Sequence, residues 1–179
     1  CLFDSSTTED SKGGGAILIS TTTSNASLTI KNSVFKNCKS KDYGSSGGAI
    51  YYSSMGNLQI YNSKFSNNAT RLTEYSRGGA IFANYSNVYI EGCEFDSNTT
   101  NAGGGAVFLD GGNIVNSVFT RNSNVAGTGY YTYSGAGAVY GNCELSNCIF
   151  SDNNYFAYLV YNASKVSNCT FYGNKQLYN

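Results

Sequence analysis

The sequence contains no histidine, no proline and no tryptophan, and only 12% of its 179 residues are charged. Without histidine, and without a C-x-x-C pair among its six cysteines, it lacks the ligands of a typical zinc site, so we expect neither metal nor cofactor. Its 11 basic and 11 acidic residues balance and form no basic stripe, which argues against a nucleic acid partner. Its apolar runs are short, so no membrane insertion is expected within this segment.

Two short motifs alternate along the chain. The first is a glycine-rich step into an apolar segment, as in Gly47-Gly48-Ala49-Ile50, and it also begins at Gly14, Gly78, Gly104 and Gly135. The second ends in phenylalanine, at Phe3, Phe35, Phe65, Phe95, Phe119, Phe150 and Phe171. Alternating motifs with a period of about 20–35 residues are typical of a solenoid.

Alignment of the copies on their phenylalanines predicts strands. An apolar residue stands five positions before each full-copy phenylalanine, at Ile30, Ile60, Ile90, Ile114, Leu145 and Val166. Apolar residues spaced by two indicate a strand with one buried face, and the Asn or Gly three positions before the phenylalanine predicts a corner. Such short strands without helical connections must stack in parallel, one rung per repeat, and such crossovers are right-handed as a rule.

We therefore predict one all-β domain over residues 1–179, a right-handed single-stranded parallel β-helix of about six to seven rungs. Its expected core contains Phe35, Phe65, Phe95, Phe119, Phe150, Phe171, Ile30, Ile60 and Ile90. Three residues after the phenylalanine comes a second column, predicted to form a hydrogen-bonded ladder: Asn68, Asn98, Asn122, Asn153 and Asn174.

The paired motifs, GGA followed by Ile or Val and then Phe-x-x-Asn, resemble the repeats of chlamydial polymorphic membrane proteins. They are also similar to repeats of adhesin-like surface proteins in methanogens and some protists, over residues 13–174. The resemblance implies a pectate-lyase-like parallel β-helix outside the cell, used for adhesion or as a structural stalk. Because neither end carries a polar cap, we expect a piece of a longer solenoid.

Four cysteines occupy the inward position two residues before the phenylalanine, where other copies carry serine. They are Cys1, Cys93, Cys148 and Cys169. Cysteine and serine are both small here, so packing as free thiols is one interpretation. The alternative is a disulfide between Cys148 and Cys169, which hold equivalent positions on neighbouring rungs.

Six N-x-[ST] sequons are present, and their places in the repeat differ. Asn25, Asn84 and Asn162 are the candidates for N-linked glycosylation, since the first two are expected in exposed turns between strands. Asn68 and Asn98 belong to the predicted ladder and Asn168 to a corner, which makes them poor acceptors.

Insertions between the Phe-x-x-Asn turn and the next glycine step occupy residues 38–46, 69–77 and 123–134. These loops should emerge on one side of the solenoid, as binding loops of repeat proteins often do. They carry tyrosines suited to a contact surface, namely Tyr43, Tyr75, Tyr130, Tyr131 and Tyr133. The alternative is that tyrosine is simply common here, since the chain has 16.

The strongest rival function is that of a polysaccharide lyase or hydrolase, which needs converging carboxylates or a calcium cluster with a base. Here Asp96, Asp152 and Glu144 fall in different columns, so no catalytic residue is predicted. We expect a non-catalytic extracellular or cell-surface β-helix, structural or adhesive, with end-to-end assembly into a fibre as an alternative. Its expected partner is a protein or glycan of a host or neighbouring cell, or another copy of itself.

Overall fold

The computed structural model describes residues 1–21, 25–71, 75–125 and 135–177. These residues form 24 short strands, all of whose pairings are parallel, and no helix occurs among them. The strands lie in three sheets that wind around one core, which confirms the predicted parallel β-helix. Successive equivalent asparagines are 30, 24, 31 and 21 residues apart, so the rungs differ in length.

The first sheet, which we call the Phe sheet, has seven strands. Its register places each motif phenylalanine directly beside the next, as in the pairing of Phe65 with Phe95. The strands are Leu2–Asp4, Val34–Lys36, Lys64–Ser66, Glu94–Asp96, Val118–Thr120, Ile149–Ser151 and Thr170–Tyr172.

The second sheet, the short sheet, has strands that begin four residues after each motif phenylalanine. Its seven strands are Thr7–Thr8, Lys39–Ser40, Ala69–Thr70, Thr99–Thr100, Ser123–Asn124, Asn154–Tyr155 and Lys175–Gln176.

The third sheet, the long sheet, follows the glycine step and has two halves. The first half contains Ile17–Ser20, Ile50–Ser53, Ile81–Asn84 and Tyr158–Tyr161, and the second contains Leu28–Lys31, Asn57–Tyr61, Asn87–Glu91 and Lys165–Ser167. Two longer strands, Val107–Val115 and Ala136–Ser146, run through both halves.

The motif phenylalanines form an internal stack. Successive ring centroids are 4.6–5.0 Å apart and their planes differ by 2–8°. Phe35, Phe65, Phe95, Phe119 and Phe150 are fully buried. The prediction that Phe171 belongs to the buried core is wrong: its side chain is 46% exposed, because no described residue covers the outer face of its ring.

Backbone corners bound the Phe sheet on both sides. The predicted corner three residues before the phenylalanine is present, and it adopts positive φ, from 48° at Asn62 to 63° at Gly92. Asparagine and glycine tolerate this left-handed conformation better than other residues. A second left-handed column, two residues after the phenylalanine, was not predicted; it contains Ser5, Asn37, Asn67, Ser97, Arg121, Asp152 and Gly173.

Candidate interaction surface

An outer aromatic column runs along the first half of the long sheet, on the face directed away from the core. Tyr51, Phe82, Phe108 and Tyr140 stack, and Tyr161 lies tilted by 31° on Tyr140; successive centroids are 4.9–5.1 Å apart. Phe82 and Phe108 are only 8% and 9% exposed, so the middle of this half of the sheet is buried on both faces. Sequence analysis missed the column, although the aromatic residue after each buried Ile or Val, instead of a polar one, signals burial on both faces.

The segments just before the glycine steps pack on this column. The Arg77 guanidinium lies 5.1 Å from the centre of the Phe108 ring, within cation–π range. A Cβ added at Gly103 would lie 3.0 Å from the Tyr140 ring, so only glycine fits there comfortably. Arg77 ends the predicted contact loop at residues 69–77, so the aromatic column supports that loop, whereas Gly103 lies outside the predicted loops.

The loop at residues 38–46 has a buried, hydrogen-bonded base. Ser45 is fully buried, and both its backbone N–H and its hydroxyl donate to the Asp42 carbonyl, at 3.3 and 2.8 Å. The backbone N–H of Ser46 donates to the Lys12 carbonyl of the preceding rung at 2.8 Å. Hydrogen bonds therefore hold Ser45 and Ser46 at the base of the loop, while Tyr43 is exposed to solvent.

The loop at residues 69–77, whose residues 72–74 lie outside the described chain, is anchored similarly. The Ser76 carbonyl accepts from the Thr100 hydroxyl at 2.8 Å and from the Ala102 backbone N–H at 3.1 Å. The backbone N–H of Arg77 donates to the Ser46 hydroxyl at 3.2 Å, which ties the two loops together.

The structure brings together two of the predicted contact tyrosines. The Tyr43 and Tyr75 rings meet edge to face, with centroids 6.0 Å apart and planes at 62°, and their side chains are 57% and 46% exposed. Tyr130, Tyr131 and Tyr133 lie outside the described residues. We call residues 38–46, 69–71 and 75–77 the tyrosine loop surface.

Exposed basic side chains stand at the edge of this surface. Lys41 and Arg71 hold equivalent places on neighbouring rungs, where an Arg71 Nη1 donates to the Lys41 carbonyl at 3.5 Å. Neither of them, nor exposed Lys39, forms an ion pair with a carboxylate of the described residues. The tyrosine rings are therefore bordered by hydrogen-bond donors.

The asparagine column forms a continuous hydrogen-bonded ladder, fully buried from Asn68 to Asn153 and half-buried at Asn174. Each asparagine Oδ1 accepts the backbone N–H of the equivalent residue one rung earlier, and from Asn98 onward it also accepts that residue's Nδ2–H. Each Nδ2 also donates to the carbonyl of the preceding rung's phenylalanine, and all these bonds measure 2.8–3.1 Å. Cys38 takes the place of asparagine in the first full copy and donates its N–H to Asn68.

The ladder also decides which sequon asparagines are accessible to glycosylation. Asn68 and Asn98 are fully buried with their Nδ2 groups engaged in the ladder. Asn25 and Asn162 are exposed, whereas Asn84 is half-buried and its Oδ1 accepts the Tyr85 N–H at 3.1 Å. A glycan on the described sequons is therefore best accommodated at Asn25 and Asn162.

All six cysteines are free thiols, so Cys148 and Cys169 do not form the disulfide that was the alternative interpretation. Both thiols donate backwards, to the carbonyls of Ser146 and Ser167 at 3.3 Å, instead of turning toward each other. Cys169 Sγ accepts the Cys148 N–H at 3.4 Å, as the Ser63 hydroxyl does for Ser33.

Burial makes these thiols hard to ionise. It raises the pKa of Cys93 and of Cys148 to about 11, and that of Cys143 to about 12. A buried thiol with a raised pKa is a poor nucleophile. Their arrangement suits packing, as the free-thiol interpretation expects.

Glu94 and Asp96 share the outer face of the Phe sheet, a closeness that sequence analysis did not anticipate. Each carboxylate is ion-paired, Glu94 with Lys64 at 2.8 Å and Asp96 with Arg121 at 2.7 Å. In the described part of the chain, no three His, Cys, Asp or Glu side chains are grouped so that they could hold a metal ion.

Among the described residues there is no helix of the length and apolarity that a membrane span requires. Neither a curated protein nor a solved structure is significantly similar to this chain. The family model for the right-handed β-helix region matches residues 1–178. With its parallel rungs and internal ladders, the chain belongs to the right-handed β-helix family.

Proposed function

We propose that this chain is a non-catalytic β-helix segment, displayed outside the cell, whose tyrosine loop surface binds a partner. The observation that carries the proposal is the pair of exposed rings, Tyr43 and Tyr75, on loops with buried, hydrogen-bonded bases. Tyrosine provides a large amphipathic contact area and loses little conformational entropy on binding. A fixed loop base reduces the ordering cost further.

The composition of the loops supports the same role. Residues 42–47 read Asp-Tyr-Gly-Ser-Ser-Gly, and residues 75–78 read Tyr-Ser-Arg-Gly. Tyrosine with serine and glycine, on loops carried by a rigid scaffold, is the composition of antibody binding sites. The resemblance of the repeats to chlamydial polymorphic membrane proteins supports placement at a cell surface and a role in adhesion. The partner is then a protein or glycan of a host or neighbouring cell.

The non-catalytic part of the proposal is supported by the electrostatics of the Phe sheet. The carboxylates of Glu94 and Asp96 each form an ion pair with a neighbouring cationic side chain.

Bead adhesion tests the proposal. Beads coated with the chain are applied to immobilised matrix proteins and to neutral and acidic glycans, and binding curves are recorded. We expect saturable binding to at least one probe, weakened about tenfold or more by the double change Tyr43→Ser, Tyr75→Ser. Tyr85→Ser is the matched control, because Tyr85 is 64% exposed outside the tyrosine loop surface. Equal binding by all three proteins, or no saturable binding, contradicts the proposal.

Two further measurements separate the alternatives. Sedimentation over a range of protein concentrations reports end-to-end assembly, since a fibre subunit lengthens as concentration rises. Incubation with acidic polysaccharides and Ca²⁺, followed by ultraviolet absorbance, reports a lyase through its unsaturated product. Activity in either assay that survives the double tyrosine change would favour the corresponding alternative over adhesion.

A further inference from the structure

The two loop tyrosines lie side by side although 32 positions separate Tyr43 from Tyr75 in the sequence. Their ring centroids are 6.0 Å apart at an angle of 62°, so an edge of one ring is directed at the other. The backbones are also adjacent, because a Cβ added at Gly44 would lie 3.7 Å from the Tyr75 Cβ. The pair therefore joins two loops of neighbouring rungs.

The tyrosine loop pair differs from the other close tyrosine pairs of the described chain. Tyr61 and Tyr89, with centroids 5.9 Å apart, are both only half-exposed. The Tyr161 ring centroid lies 4.8 Å from that of Tyr158 but also 4.9 Å from that of Tyr140, and this second contact restricts how the Tyr161 ring can turn. In the loop pair both rings are substantially exposed, so an oxidant reaches them and their ring carbons have room to meet.

We propose that Tyr43 and Tyr75 form an oxidative modification site, at which a haem peroxidase using hydrogen peroxide couples them into a dityrosine cross-link. Each phenol loses one electron and its hydroxyl proton, and the two phenoxyl radicals join through the ring carbons ortho to oxygen. The hydrogens on those carbons then move to the oxygens and restore two hydroxyls. One hydrogen peroxide takes up the two electrons and two protons and leaves as two waters, so the protein loses two hydrogen atoms.

Nearby thiols do not intercept the radicals. Cys38, which begins the first loop, is buried, and Cys93 is buried in the core. Coupling would close a covalent loop between neighbouring rungs, and a cross-link of this kind stabilises a fold chiefly by restricting the unfolded chain. The inference requires only the geometry of the pair and is independent of whether the tyrosine loop surface binds a partner.

The test is peroxidase treatment of dilute, folded protein, followed by dityrosine fluorescence and peptide mapping. We expect a monomer lighter by two hydrogen atoms, with one cross-linked peptide pair containing Tyr43 and Tyr75, and a higher urea midpoint of unfolding. Tyr43→Phe and Tyr75→Phe should each abolish this cross-link while leaving the circular dichroism spectrum unchanged. Tyr85→Phe is the matched exposed control and should leave the yield intact.

Three outcomes would overturn the proposal. The first is dityrosine that maps to Tyr61 and Tyr89 or to Tyr158 and Tyr161, and the second is dityrosine found only between molecules. The third is oxidation of exposed Tyr85 with no coupling of the loop pair. Because the bead assay uses untreated protein, a failure there and a failure here are distinguishable.

Discussion

The Asn98 side-chain amide donates to the Asn122 side-chain carbonyl at 2.9 Å, across a rung of 24 residues. The preceding pair, Asn68 and Asn98, makes the same bond at 3.0 Å across a rung of 30 residues. The ladder therefore keeps its geometry where the chain between its members is shortened by six residues. The hydrogen bonds define the rung, and the loops take up the difference in length.

Replacement of Asn98 by alanine should cost about 3 kcal/mol of unfolding free energy, because it leaves several buried ladder groups without a partner. Among them are the Asn68 N–H and one of the two Nδ2 hydrogens of Asn68. Urea denaturation measures the loss. Asn87→Ala is the matched control, since Asn87 is exposed on a strand, and it should change stability by less than about 0.5 kcal/mol. Equal losses for the two variants would contradict a special role for the ladder.

Phe95→Ala should destabilise the protein by about 3–5 kcal/mol, because it opens a cavity in the middle of the internal stack. Phe95 is fully buried between Phe65 and Phe119, at 5.0 and 4.8 Å. Phe171→Ala, at the exposed end of the same column, should cost much less. Chemical denaturation of both variants gives the two losses of unfolding free energy. Similar losses would contradict the prediction that a ring buried in the middle of the stack stabilises the protein more than one at its end.

Cys93, Cys143 and Cys148 should react slowly with iodoacetamide at pH 8, whereas exposed Cys1 should react readily. A pKa near 11 at Cys93 leaves about a hundredfold less thiolate than the usual 9.0, before burial limits access. Time-resolved mass spectrometry of the labelled peptides measures the rates. Labelling of Cys148 as fast as Cys1, or a disulfide-linked Cys148–Cys169 peptide, would contradict this prediction.

Alkaline pH should lower stability through the same thiols. Their pKa values are higher in the folded protein than the usual 9.0, so the unfolded chain ionises first. The stabilisation is complete below about pH 9 and is lost as pH rises toward about 11, the folded pKa of Cys93 and Cys148. Urea midpoints measured across this range test the effect. Cys93→Ser should flatten the decline, because serine does not ionise there.

Expression in a secretory host that attaches N-linked glycans should modify Asn25, which is exposed, and leave Asn68 and Asn98 bare. A glycan on either ladder residue would require its buried, hydrogen-bonded amide to leave the core. Mass spectrometry of glycopeptides reads each site, with Asn25→Gln as the control for occupancy. Glycans on Asn98 in folded protein would show that the ladder opens.

The sequence predicts the core well where one residue type repeats in one place. Phe95 and Asn98 recur in copy after copy, and a parallel stack puts equivalent positions in contact. The second corner was missed because its column contains different residue types, for example Ser5 and Arg121, and therefore shows no repeated residue in the sequence. Phe171 was assigned wrongly because a repeat pattern does not say whether another rung covers it.

The tyrosine loop surface was predictable only in part. Loop position in the repeat places Tyr43 and Tyr75 on one side of the solenoid. Their contact depends on the Asp42 turn and on the Ser46 hydroxyl that holds Arg77, which are details of individual loops and not of the repeat. The outer aromatic column that supports the loop at residues 69–77 was not predicted, because we expected each solenoid strand to be exposed to water on its outer face.

The variable rung length has a consequence for how such a protein can change. A point insertion in a globular domain usually disturbs packing on every side, but here a loop can grow or shrink between Phe-x-x-Asn and the next glycine step while the ladders stay in register. Rung length and rung register are thus set by separate stretches of the same repeat. A loop of one rung could therefore be exchanged without changing the hydrogen bonds and ring contacts between neighbouring rungs.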